Sequence, residues 1–221
     1  MQRAPGIIGL LFGLSLAALV TLVGPLLLFN PWFTSALQAR HDVAATLDTT
    51  QAEVDRVTGE ILFDLYTDGP FDAALTGEEP LLDEQERSHM HDVAVLVRIQ
   101  AAVVLLALIL AVVTGAWLRA EPRRQGRIML LAAGGIGVVA LLLAGIFAVA
   151  FEPAFSAFHR IFFPPGTYLF AEGSELIVLF PQGFWFDAAL AAGAAVIGSA
   201  LFVVVIGLRR WRAPSATPEH A

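Results

Sequence analysis

The 221-residue chain is 57% hydrophobic and only 15% charged, and its charges fall in blocks instead of alternating with apolar residues. Soluble domains carry nearer a quarter charged residues, so this segregation is that of segments facing lipid, where an interspersed charge is costly. With no cysteine, a disulfide framework, a thiolate metal site and a cysteine nucleophile are excluded together, and a net charge of −7 offers no match to nucleic acid.

Four apolar runs, at about 7–29, 94–118, 128–150 and 188–208, are each long enough to cross a bilayer, which takes roughly 20 helical residues. The first is too long for the apolar core of a secretion signal and lacks a small-residue cleavage site, so it is expected to stay as a span. Within it Gly9 and Gly13 form a small-xxx-small pair, as Ala194 and Gly198 do in the fourth run. Such pairs serve close helix packing inside one bundle or between two copies.

The first loop, 30–93, is too long for a connector. Thr50 and Glu53 have the spacing of a capping box, in which a hydroxyl and a carboxylate each satisfy a free backbone donor. Val54, Val57, Ile61 and Leu65 then recur at helical spacing, and Thr67-Asp68-Gly69 supplies a stop. The pattern predicts an amphipathic helix of roughly 17 residues, packed on the outer face of the bundle or, as the less favoured reading, lying in the lipid headgroup layer. The acidic run from Glu78 to Glu86 reads as a solvated connector. His89 and His91 follow; at about 100° per residue they point roughly 200° apart and could not share a metal ion. His89 and Asp92 do share a face, and a carboxylate there can fix an imidazole tautomer. The same spacing suits ordinary polar residues at a helix start.

Four residues into the second run, Arg98 is expected to pair with Glu152 or to snorkel outward. Arginines also set the orientation. Eight of the thirteen lie in short segments before the first run, between the second and third, and after the fourth. The first and third loops hold eighteen of the twenty acidic residues. The enrichment of arginine in cytoplasmic segments therefore puts both termini inside and both long loops outside.

The third loop, 151–187, gathers aromatics, as chains do at membrane interfaces. Pro164-Pro165-Gly166 and Pro181-Gln182-Gly183 break it into turns, and Ser174 to Phe180 reads as a short strand or re-entrant piece. His159, followed by Arg160, is a possible base or an ordinary structural histidine. The fold expected is an all-α membrane protein, a four-transmembrane-helix bundle with an extracytoplasmic cap formed by loops 1 and 3. Residues 1–212 are expected to form one four-span domain and 213–221 a disordered tail.

Two histidine motifs carry a resemblance. His89-Met90-His91-Asp92-Val93 and Phe158-His159-Arg160-Ile161-Phe162-Phe163, with Gly166-Thr167-Tyr168-Leu169-Phe170 and Pro181-Gln182-Gly183-Phe184-Trp185, resemble the bacterial lipoprotein intramolecular transacylase (Lit) family of four-span membrane proteins. Tyr168 stands where the family pattern has Trp. The resemblance implies an enzyme of the bacterial cytoplasmic membrane that moves the sn-2 acyl chain of a lipoprotein's diacylglyceryl group onto the α-amino group of its N-terminal cysteine. It implies a diacylated lipoprotein and membrane lipid as partners, no nucleic acid and no cofactor. His89 and His159 would be the catalytic pair, Asp92 would orient His89, and Arg160, Arg98 or Tyr168 would contact substrate or the developing oxyanion. A non-enzymatic lipid-binding scaffold and a metal-dependent hydrolase using His89, Asp92 and His159 are the alternatives. Convergence of His89 and His159 separates the readings.

Overall fold

The computed structural model describes residues 5–75, 77 and 79–213. The C-terminal tail expected to be disordered lies outside the described residues from 214 onward. In chain order the elements are α1 (Gly6–Leu26), α2 (Pro31–Arg40), α3 (Val43–Thr46), α4 (Gln51–Thr67), α5 (Glu84–Leu118), α6 (Pro122–Val149), α7 (Phe151–Phe162), α8 (Glu175–Leu179) and α9 (Gln182–Trp211). There is no strand among the described residues, so Ser174 to Phe180 is not a strand. Instead α8 forms there, its residues too few and too locally bonded to reach a partner edge.

Helices α1, α5, α6 and α9 are each long and apolar enough to cross a membrane. The expected spans are therefore helical, and the protein is a multi-pass membrane protein. At 35 residues, α5 is about 52 Å long and exceeds the hydrocarbon thickness. Its first ten residues, 84–93, form a polar extension ahead of the apolar stretch that begins at 94.

The chain divides into two compact units. The first comprises residues 1–24, 102–143 and 193–221. Its described part has small apolar cores, one of Phe12, Leu16, Leu118 and Met129 and another of Val20, Ala133, Val196 and Ala200. Gly9 and Gly13 lie against Arg124 and Ile128 of α6, so that small-residue pair serves packing within the chain. Gly126 meets Gly207 and Trp211 backbone to backbone. Leu131, Leu142 and Phe202 are each about two-thirds exposed. That is favourable where hydrocarbon replaces water.

The second unit comprises residues 25–101 and 144–192. Pro25 removes an amide near the end of α1, and the chain tightens into a 3-10 turn at Leu27–Phe29. Asn30 then caps α2, its side chain accepting from the Trp32 amide. Helix α4 has the expected bounds and buries Val54, Val57, Ile61 and Leu65. Thr50 accepts from the Glu53 amide at 3.3 Å, whereas the Glu53 carboxylate turns to Arg56. Asp68 closes the helix at φ 62. Around α4 the largest core of the molecule also takes in Val43, Phe71, Leu82, Met90, Ala94, Val97, Leu176 and Leu179. Within it Gln38 is fully buried, donating to Thr58 Oγ1 and to the Leu179 carbonyl. A buried amide satisfied from two other segments fixes α2 against both.

Candidate active site

All the histidines of interest belong to the second unit. The polar extension of α5 carries His89, and amphipathic α7 carries His159. Along α7 the residues Phe151, Phe155, Phe158 and Phe162 recur every three or four positions, forming one aromatic stripe with His159 at its margin. Glu152, Ser156 and Arg160 occupy the other side.

The two imidazoles converge. Their ring centroids are 6.1 Å apart and the planes are 26° from parallel. His159 Nδ1 lies 2.9 Å from the Phe155 carbonyl. A carbonyl only accepts, so the proton sits on Nδ1 and Nε2 of the neutral ring is left as the acceptor. Phe155 at 4.4 Å and Tyr168 at 5.2 Å hold the His159 ring.

His89 is buried, 6% exposed, and edged by Phe163 at 4.7 Å and Phe170 at 5.5 Å. Its Nδ1 has no hydrogen-bond partner. Burial, and then the neighbouring His159, pull its pKa down to about 4, with Asp92 opposing weakly. At neutral pH it is an uncharged imidazole with an unsatisfied nitrogen. A buried nitrogen without a partner costs free energy.

The other predicted residues are placed differently. Asp92 makes no hydrogen bond to His89, because the ring turns away into the aromatic cluster. Arg98 pairs with Asp68 at 2.7 Å, not with Glu152, which accepts from Gln182. Nine residues from His89, Arg98 is half a turn round the helix. Its guanidinium holds the Asp68 carboxyl below the usual carboxylate range. His91 faces that same side, edge-on to Phe71 at 5.0 Å. Arg160 is exposed. Among the described residues no three His, Asp or Glu side chains gather as a metal ion would need.

Sequence reasoning missed Glu86. Far from solvated, it is 1% exposed. Its Oε2 accepts from the Asp83 amide at 2.8 Å while Asp83 Oδ1 accepts from the Glu86 amide at 2.8 Å. This is a second capping box, legible in the Asp83-x-x-Glu86 spacing. Its Oε1 accepts from the Leu176 amide at 2.9 Å, ninety residues on, which no local pattern announces. The neighbouring Glu175 carboxyl is pushed up by burial and then by Glu86. An open cleft of about 650 Å³ is lined by Asp83, by Glu84, Gln85 and Ser88 of α5, and by Gly166 and Thr167.

A helical multi-pass membrane protein with two imidazoles stacked among aromatics has side chains suited to moving protons. The description "Lipoprotein intramolecular transacylase Lit" is that of a family model matching residues 8–185. The chain belongs to that family, and is a transacylase by membership. It is similar in fold to the membrane integral lipoprotein intramolecular transacylase Lit from Bacillus cereus. The TM-score is 0.79 at 20% identity, over 92% of this chain and 94% of that one. A form of that protein with a histidine-to-arginine substitution matches at TM-score 0.74 and 18% identity, over 92% and 90%. One with a histidine-to-alanine substitution matches equally well, over 92% and 91%. No curated protein matches the chain in sequence.

Proposed function

We propose that His159 and His89 carry out the transfer of the sn-2 acyl chain of a diacylated lipoprotein to the α-amino group of its N-terminal cysteine. The observation that carries this is the stacked pair, with one ring fixed as an acceptor and the other buried with an orphan nitrogen. The free amine attacks the ester carbonyl carbon. His159 Nε2 takes the proton that the nitrogen loses and returns it to the departing sn-2 oxygen, leaving an amide and a lyso-glyceryl hydroxyl. His89 donates an imidazole N–H to the oxyanion that develops on the carbonyl oxygen. Both reacting groups belong to one substrate, so no covalent enzyme intermediate is needed. Tyr168 packs on His159 and holds its ring in register. Arg160 is free to meet a headgroup, whereas Arg98, engaged by Asp68, is left out of the mechanism.

We place residues 1–212 in one four-span domain of the cytoplasmic membrane, with both termini inside and the histidines outside. The arginine distribution and the acidic loops support that orientation.

Lipoprotein mass spectrometry in a host without N-acylating enzymes of its own tests the reading. The expected product carries one acyl chain on the amine and one on glycerol. His159→Ala should cut its formation by roughly 10²- to 10⁴-fold, the usual contribution of a general base. Unmoved acyl chains, or full transfer by His159→Ala, would overturn the proposal.

A further inference from the structure

Glu86 is a buried carboxylate that the acyl transfer does not use, and its oxygens are satisfied by backbone amides instead of a cation. One amide is that of Asp83, the residue just before α5, and the other, of Leu176, is in the first turn of α8, both donors that a helix start leaves without an intrahelical partner. An exposed Asp or Ser would cap either helix at lower desolvation cost. What a buried two-oxygen acceptor adds is a link between the two. Glu86 lies one turn before His89, at i and i+3 on the same face. Gln85, at i and i+4 from His89, donates to the Leu169 carbonyl at 3.1 Å. Between these two fastenings runs the segment that lays Phe170 against His89 and is joined through Phe163 to the end of α7.

We propose, building on the functional reading above, that Glu86 is a positioning residue for His89. Its carboxylate clamps the 163–179 segment onto the start of α5, so that the His89 ring is held facing His159. Gln is a poor substitute, because its amide presents one acceptor and one donor to two N–H groups. Misplacement of a reacting group by about 1 Å costs on the order of 10²-fold in rate.

The full chain in lipid nanodiscs, given a synthetic diacylated lipopeptide, supplies the test. Glu86→Gln should lower kcat roughly 10- to 100-fold and leave KM little changed. In the same sample the ¹⁵N resonances of His89 should shift, and the Leu176 amide should exchange faster with deuterium. Wild-type kcat in folded Glu86→Gln, or unmoved His89 resonances, would overturn the clamp. Should Glu86→Gln fail to fold, Glu86→Asp decides, since it keeps the charge but shortens the reach to the Leu176 amide. A lower kcat with shifted His89 signals supports the clamp, and unchanged kcat and signals refute it. If the wild-type protein moves no acyl chain, the functional reading falls, while the His89 resonances still decide the clamp.

Discussion

At the scale of the residue, His89 shows what burial does to an imidazole. Its pKa, pulled down to about 4 by burial, lies below the value near 6.5 of an unfolded histidine. As pH falls through 6.5 the unfolded chain takes up a proton that the folded site refuses until about pH 4. Stability from this group is therefore complete above pH 6.5 and is lost between 6.5 and 4, by about 3 kcal/mol. The melting temperature of His89→Phe should fall less over that window than the wild type's; equal slopes would contradict the assignment. In the sequence His89, His159 and their motifs were legible, but not their tautomers. Those depend on the Phe155 carbonyl and on which rings fill the space around His89.

At the scale of the element, helices announced themselves wherever the signal was local. The bounds of α4 followed from Thr50, the apolar spacing and the Asp68 stop. The Asp83–Glu86 box followed the same rule but was hidden within an acidic run. Long-range pairs were not legible. Arg98 finds Asp68, and Glu86 finds Leu176, across separations no periodicity encodes. Glycine contacts at α6 give a sharp contrast. A Cβ on Gly126 would stand 2.4 Å from the Trp211 nitrogen and 2.5 Å from the Gly207 oxygen, both backbone atoms that cannot turn aside. Gly126→Ala should destabilise the protein by about 1–3 kcal/mol. Gly134, with nothing within 4 Å, should tolerate alanine and gain up to about 1 kcal/mol of helix propensity. Paired thermal melts in one detergent check both.

At the scale of the whole molecule, run length and arginine placement were enough to read a multi-pass helical protein. The absence of native cysteine makes orientation directly testable. Ala52→Cys should react with a membrane-impermeant maleimide in intact cells, and Ala120→Cys only after permeabilisation. The reverse pattern would invert the topology. Helix α7 has a different lesson. None of its twelve residues is buried, although it carries His159. A helix this short is marginal on its own in water. Its order rests on the rings it touches and on whatever covers its exposed face, which for a membrane protein can be amphiphile. Acyl transfer should therefore respond to the choice of detergent in ways that overall unfolding does not, as though the solvent were a subunit.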